Sequence, residues 1–139
     1  MKSSKKYKFL EHTADVKFQA FGNSIERAFS NAALALQETM TKKVKIKPII
    51  KKRIIVFGKD KESLLYNFLE EFLFLLDSEG FILAKISTIK IVDNKLEAEV
   101  LGDKANKYRF TNDVKAVTYN DMLVKNEGKR FIVQVVVDV

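Results

Sequence analysis

The spacing of apolar residues along the chain predicts two helices. Residues 25–40 place their apolar side chains on one helical face, namely Ile25, Ala28, Phe29, Ala32, Leu36 and Met40. Their polar neighbours, Glu26, Arg27, Ser30 and Asn31, fall on the other face. Residues 61–77 carry a wider apolar arc, which indicates a core helix. We expect Asn23 or Ser24 to cap the first helix, Asp60 to cap the second and Gly80 to end it.

The rest of the chain is dominated by alternating apolar and polar positions, which predict strands. These segments are residues 7–10, 16–21, 54–57, 82–92, 95–101, 113–119, 122–125 and 130–138. Asp93-Asn94 and Glu127-Gly128 are turn residues between consecutive strands. The pattern predicts an α+β fold with two layers, in which two helices pack on a mixed, largely antiparallel β-sheet. We expect residues 1–139 to form a single domain.

A basic segment lies between the first helix and the next strand. Residues 41–53 hold seven lysines and arginines and no acid. Val44, Ile46 and Ile49 alternate with lysines, so the first part of this segment is expected to form an edge strand. Lysines and Pro48 would protect such an edge from pairing with another chain. Contact with nucleic acid is the alternative interpretation.

Composition narrows the class of protein. The chain of 139 residues has a net charge of +7 and no cysteine. The absence of cysteine excludes disulfides and thiolate chemistry, and it suits a reducing compartment. No apolar run is long enough to cross a bilayer, so we expect a cytoplasmic protein that does not contact membrane. The positive field suits an approach to RNA or to an acidic protein, although a generic lysine-rich surface would give the same charge.

The usual enzyme signatures are missing. The sequence has one histidine, no G-x-S-x-G elbow and no glycine-rich phosphate loop. It does offer an oxygen-rich site, if the first and last strands are neighbours. Asp15, Asp138 and the carboxylate of Val139 could then meet, and hard divalent cations prefer such ligands. Asp138 follows the apolar run Val135-Val136-Val137, which suggests a central strand, and a carboxylate there must be paired, hydrogen-bonded or bound to a metal. Alternatively, the last two residues are solvated and bind nothing.

Lys115 is the second unusual residue. Strand alternation places it on the face of Val117 and Tyr119. A lysine in that position either extends its ammonium to the edge of the sheet or pairs with a buried carboxylate. Asp15 and Asp138 are the candidate carboxylates.

Three segments carry a resemblance to a known family. Residues 9–16 (FLEHTADV), 113–119 (DVKAVTY) and 135–139 (VVVDV) resemble the archease family in content and order. Met40-Thr41 and residues 73–81 (LFLLDSEGF) fit it as well. The resemblance covers essentially the whole chain.

The resemblance implies a function without catalysis. Archeases are protein cofactors of RtcB-type RNA ligases in tRNA splicing and RNA repair. They promote guanylylation and multiple turnover of the ligase, and they reach tRNA or RNA indirectly through it. The family binds a divalent cation, so Ca²⁺ is expected here, with Mg²⁺ or Mn²⁺ as alternatives. By motif, the ligands would be Asp15, Asp138 and Val139, while His12 and Lys115 would support the site or the activation.

The sequence departs from the family pattern at two places. Asn120 stands where the family often has a histidine, and residues 104–110 are more basic than usual. These differences affect the loop beside the site and leave the expected metal ligands in place.

Two other functions remain open from the sequence. The alternatives are a basic RNA-binding module that uses residues 42–53 and a metal-dependent phosphoesterase at the acidic site.

Overall fold

The computed structural model describes residues 5–11 and 15–139. In chain order its elements are β1 (Tyr7–Leu10), β2 (Val16–Gly22), α1 (Ile25–Thr41), β3 (Ile50–Phe57), α2 (Lys61–Glu79), β4 (Phe81–Val92), β5 (Lys95–Lys104), a short 3₁₀ turn (Ala105–Lys107), β6 (Ala116–Glu127) and β7 (Arg130–Asp138). The predicted α+β fold with two helices is therefore confirmed.

The described strands form two sheets, and every pairing among them is antiparallel. The four-stranded sheet has the order β1-β2-β7-β6, and the three-stranded sheet has the order β3-β5-β4. Both helices contact both sheets. The core thus lies around the helices, where Phe18, Phe29, Phe68 and Leu96 are fully buried.

Local signals set the helix boundaries as predicted. The Ser24 side chain accepts a hydrogen bond from Arg27 N, and the Asp60 side chain accepts one from Ser63 N. Gly80 ends α2 in the left-handed region, with φ of 62°, which a residue without Cβ adopts at low cost. These caps satisfy backbone groups that have no partner inside the helix.

The polar face predicted for α1 is partly wrong. Ser30 and Asn31 are buried, because α1 packs against both sheets and leaves little of its surface to solvent. The Asn31 side-chain amide donates a hydrogen bond to Phe21 O at 2.7 Å. That bond offsets part of the cost of removing a polar amide from water.

The predicted edge strand around Val44 and Ile46 is also wrong, because β3 begins only at Ile50. Residues 42–49 run as irregular chain, and Pro48 has no N–H to donate to a sheet ladder. Two backbone donors tie the segment down. Lys47 N donates to the Tyr108 hydroxyl at 3.0 Å, and Ile49 N donates to Gly102 O at 2.8 Å.

The two strands predicted at residues 113–119 and 122–125 form one element. β6 runs without a break from Ala116 to Glu127, although its pairing with β7 shifts register between Thr118 and Leu123. Asp121, inside the irregularity, has a positive φ of 54°, which an aspartate tolerates better than most residues. The strand therefore bends where the sequence suggested a break.

None of the helices in the described part of the chain is long and apolar enough to cross a membrane.

Candidate functional site

Three neighbouring strands of the four-stranded sheet bring the motif residues to one end of that sheet. Val16 pairs with Val137 across β2 and β7, and Ala116 pairs with Asp138 across β6 and β7. Lys115 N donates a hydrogen bond to Asp138 O at 2.8 Å. Continuing the first register by one residue sets Asp15 opposite Asp138. The backbone therefore brings Asp15, Asp138 and Lys115 to the same end of this sheet.

Burial at this sheet end follows the end of the apolar run. Residues 132–137 are buried along the central strand β7, whereas Asp138 is exposed. Asp15 and Val139 are half-buried. The Asp138 carboxylate thus stays in contact with water, and burial does not oblige it to find a partner. Asp138 therefore presents an accessible anion where the buried part of β7 ends.

Lys115 and Asp138 approach through their backbones rather than through their side chains. Residues directly opposite each other in an antiparallel pair share a face, so Asp138 shares a face with Ala116. Lys115, one residue earlier, has the phase of Val117 and of the helix-covered face. Its side chain is exposed and makes no ion pair with a described residue. This geometry corresponds to a lysine that extends to the edge of the sheet.

The donor set at this end suits a hard divalent cation. Asp15 and Asp138 offer carboxylate oxygens, and an oxygen of Val139 would add a third oxygen ligand. Among the described residues, no three side chains of His, Cys, Asp and Glu converge as a metal cluster. A site there would therefore depend on an oxygen of Val139, on other main-chain oxygens or on water. His12, the other residue assigned to this region, lies outside the described residues.

The V-K-A-V-T-Y segment is fixed against α2 by two contacts. Glu70 Oε2 accepts a hydrogen bond from Val117 N at 2.9 Å. The Tyr66 and Tyr119 rings stack with centroids 4.4 Å apart. Partial burial raises the pKa of Tyr119, with smaller contributions from Tyr66 and Asp60. The helix thus holds the strand that carries Lys115, while leaving the Tyr119 side chain 54% exposed.

A cleft that sequence reasoning missed opens beside Asp15. It has a volume of about 1100 Å³ and lies between the β1–β2 region and the C-terminal end of α1. Its lining is Phe9, Leu10, Glu11, Asp15, Val16, Glu38, Thr39, Lys42, Lys43 and Asn112. Three residues with carboxylates and two lysines from the basic segment therefore line the same cleft.

Glu38 is held at the wall of this cleft by Tyr7. The Tyr7 hydroxyl donates to Glu38 Oε1 at 2.5 Å. Burial, and then the neighbouring Glu38 carboxylate, raise the pKa of Tyr7, so the phenol keeps its proton and remains a donor. The two residues are 31 positions apart, and no local pattern in the sequence pairs them.

Comparison with known proteins gives the same family over nearly the full length. The model of the Archease protein family matches residues 7–139. "Protein archease" of Sulfurisphaera tokodaii is 37% identical, covering 96% of this chain and 99% of that protein. "Protein archease" of Pyrococcus abyssi is also 37% identical, covering 97% and 99%.

Solved structures agree on the fold. The solution structure of Methanobacterium thermoautotrophicum protein 1598 matches with a TM-score of 0.81 at 31% identity, covering 96% of this chain and 99% of that one. The crystal structure of a Thermotoga maritima archease, described as a possible chaperone, matches with a TM-score of 0.66 at 22% identity and covers 100% and 98%. The second likeness shows the fold alone.

Fold and site together define a small α+β protein in which the ends of three adjacent strands carry two aspartates and a lysine. The chain belongs to the archease family.

Proposed function

We propose that this chain is a protein cofactor of an RtcB-type RNA ligase and has no catalytic activity of its own. Family membership supports this proposal. The observation that carries it is the convergence of Asp15, Asp138 and Lys115 at one sheet end, since these residues lie in the motifs shared with the family. In this role the protein works in the cytoplasm, in tRNA splicing and RNA repair, and it meets RNA through the ligase.

The proposed sheet end presents two aspartates on one face and, by strand phase, the accessible Lys115 on the other. Asp15, Asp138 and an oxygen of Val139 would hold a divalent cation, with Ca²⁺ first and Mg²⁺ or Mn²⁺ as alternatives. Such an ion supplies a concentrated positive charge toward anionic groups. Lys115 adds an exposed ammonium, which binds a phosphate as a point charge. Because its side chain makes no ion pair with a described residue, that charge is available to a partner.

Hydrogen bonds and ring contacts anchor the strands at this end of the sheet. β7 is the buried central strand, with β2 and β6 hydrogen-bonded on either side. Glu70 and Tyr66 fix the start of β6 from the other side. Asp138 lies on β7, while Asp15 and Lys115 directly precede β2 and β6, and groups on regular elements are better positioned than groups on loops. The protein would thus act by holding charge at the active site of the ligase, while the ligase performs the guanylylation.

The test is guanylylation of a purified RtcB-type ligase from the same source, measured with GTP in the presence and absence of this chain. We expect faster accumulation of guanylylated ligase when the chain is present. Unchanged guanylylation across a range of chain concentrations would contradict the proposal. A second arm with GTP and the chain alone checks that the chain takes up no nucleotide covalently.

A further inference from the structure

The three-stranded sheet has one face that no element of the described chain covers. Strand alternation buries Ile54, Val56 and the facing residues of β4 and β5. The other side chains point away from the core. We call this second surface the open face, and it consists of Lys51, Arg53, Ile55, Phe57, Lys85, Thr88, Lys90, Val92, Lys95, Glu97, Glu99 and Leu101.

The register orders the open face into rows across the three strands. Phe57, Lys95 and Val92 form the row at one end. Ile55, Glu97 and Lys90 form the next row, and Lys51, Leu101 and Lys85 form the row at the far end. Apolar side chains are therefore concentrated at one end, while cations occur along the whole length.

The open face keeps a surplus of positive charge. It holds five lysines and arginines against two glutamates. Glu97 lies 3.5 Å from Arg53 and 3.6 Å from Lys95, and Glu99 lies 3.9 Å from Lys51. Within the described chain, Lys85 and Lys90 make no ion pair. Their charges are compensated only by solvent and remain available to an anionic partner.

The cations of the open face extend along the length of β3, and a basic segment precedes that strand in the chain, with its Lys42 and Lys43 lining the cleft beside Asp15. β3 spans about 26 Å at the usual rise per residue, and residues 42–49 lead into it at the Lys51 end with four more lysines and no acid. A long line of cations suits a linear polyanion better than a compact anion. The shape of the charge thus points to a nucleic acid.

Phe57 adds a contact that a polyanion without bases could not use. Its side chain is 61% exposed at the end of β3. The Lys95 ammonium lies 5.7 Å from the ring centroid, and Val92 lies across the same row. A groove of about 530 Å³ runs along this end, and its lining is Phe57, Lys90, Val92, Asp93, Asn94, Lys95 and Glu97. Bases of a single strand stack on exposed aromatic rings regardless of sequence.

We propose that the open face binds single-stranded nucleic acid, with phosphates along the cations and a base against Phe57. This interaction goes beyond the proposed activation of a ligase, because it needs no ligase. It also uses the three-stranded sheet, whereas Asp15, Asp138 and Lys115 lie at the end of the four-stranded sheet. RNA and DNA strands share the required chemistry, and the 2′-hydroxyl distinguishes them.

The experiment measures fluorescence anisotropy of labelled single-stranded 12-mers, one of RNA and one of DNA with the same sequence, without ligase. The face variant is Lys85→Glu with Lys90→Glu. The matched control is Lys125→Glu with Lys129→Glu, which makes the same change in net charge at the exposed β6–β7 hairpin. We expect the face variant to bind RNA about tenfold more weakly and the control to bind about twofold more weakly or less. Each lost phosphate contact should also lower the slope of log K against log salt concentration by about 0.7.

Phe57 is tested separately from charge. Phe57→Ser should weaken binding about fivefold, within the usual range for loss of one stacked base, and should leave the salt slope unchanged. Phe74→Ser on α2 is the control, because Phe74 is exposed to a similar extent, at 57%. Circular dichroism checks that each variant folds, and Lys85→Gln with Lys90→Gln replaces the face variant if glutamate disturbs the sheet.

Several outcomes would overturn the assignment. Failure of the parent protein to bind either 12-mer at 50 mM salt would do so, as would equal losses in the face and control variants. Competition by poly-glutamate at the same charge concentration would indicate an acidic protein partner instead. None of these results bears on ligase guanylylation, so the two proposals fail independently.

Discussion

At the scale of single residues, Lys115 is the side chain whose charge is most open to a partner at the sheet end. Its exposure and lack of an ion pair within the described chain mean that removing the charge costs little stability. We therefore predict that Lys115→Met folds normally, keeps much of its metal binding and loses most of its ability to promote ligase guanylylation. Lys115→Arg should recover only part, because a planar guanidinium does not reproduce the geometry of an ammonium.

The matched control for this prediction is Lys125→Met. Lys125 is exposed near the other end of the same strand, β6, so it reports on loss of a lysine without loss of the site. Guanylylation of the ligase is the readout for both variants. Full activation by Lys115→Met would show that Lys115 only extends into solvent and takes no part in activation.

Asp15 and Asp138 carry the second residue-scale prediction, which concerns metal binding. Calorimetry with Ca²⁺, Mg²⁺ and Mn²⁺ should show that Asp15→Ala and Asp138→Ala each weaken binding strongly, since each removes a carboxylate from a small oxygen donor set. Glu127→Gln, at the opposite end of β6, is the control and should bind as the parent does. Parent-like binding by both aspartate variants would rule out this site.

Sequence alone predicted the convergence of these residues better than it predicted their surroundings. The apolar run before Asp138 indicated a central strand, and β7 is central. The same run suggested a desolvated carboxylate, yet exposure changes abruptly between Val137 and Asp138. The Tyr7–Glu38 contact in the cleft joins a strand to the far end of a helix. Such a pairing depends on tertiary packing, which no local pattern encodes.

At the scale of elements, α2 provides much of the core through its aromatic residues. Phe68 is fully buried, with its ring centroid 5.1 Å from Phe72 and 6.2 Å from Phe29. We predict that Phe68→Ala lowers the free energy of unfolding by about 3–5 kcal/mol, because it leaves a cavity in a packed core. Phe74→Ala in the same helix should change it by about 0.5 kcal/mol or less. Urea denaturation measures both, and equal losses would contradict the assigned burial.

Asp103 links β5 to the basic segment and predicts a dependence of stability on pH. Its buried carboxylate accepts from the Tyr108 hydroxyl at 2.7 Å, and that hydroxyl accepts from Lys47 N. The Tyr108 hydrogen bond lowers the pKa of Asp103, assisted by Lys104 N and Lys107. A carboxyl whose pKa falls on folding stabilises the protein above the pKa of the unfolded chain. That stabilisation is lost as the pH falls through the pKa of the folded state.

We therefore predict that Asp103→Asn lowers the urea midpoint at pH 7. The difference from the parent should begin to shrink below about pH 4, where the carboxyl of the unfolded chain takes up a proton, and should be lost as the pH falls through the lower pKa of the folded state. Asp93→Asn, in the exposed β4–β5 turn, serves as the control and should follow the parent. A difference that stays constant from pH 7 to pH 3 would show that charge on Asp103 is unimportant.

The elements also show which parts of a fold a sequence predicts well. Helix boundaries came from caps at Ser24, Asp60 and Gly80, and those interactions are local. The irregular path of residues 42–49 was missed because its ties reach Tyr108, 61 residues away from Lys47, and Gly102. The same alternation of lysine with valine and isoleucine occurs in a strand and in an irregular segment that is held in place by residues distant in sequence.

At the scale of the whole molecule, the net charge of +7 raises the question of which cations matter for activation. Lys43, Lys45 and Lys47 are exposed in the irregular segment and are expected to contribute only general electrostatics. We predict that reversing all three to glutamate leaves ligase activation largely intact at physiological salt, where exposed charges are screened over about 8 Å. Complete loss of activation by a folded variant would favour a direct nucleic-acid role for the segment.

As a cofactor of an RtcB-type ligase, this chain is expected to let the ligase act repeatedly. The most direct measurement counts ligated RNA molecules formed per molecule of RtcB-type ligase, with GTP and a divalent cation present, with and without the chain. The account predicts several products per ligase when the parent chain is added, and about one or fewer without it or with Lys115→Met. The same number of products per ligase in all three reactions would contradict the account.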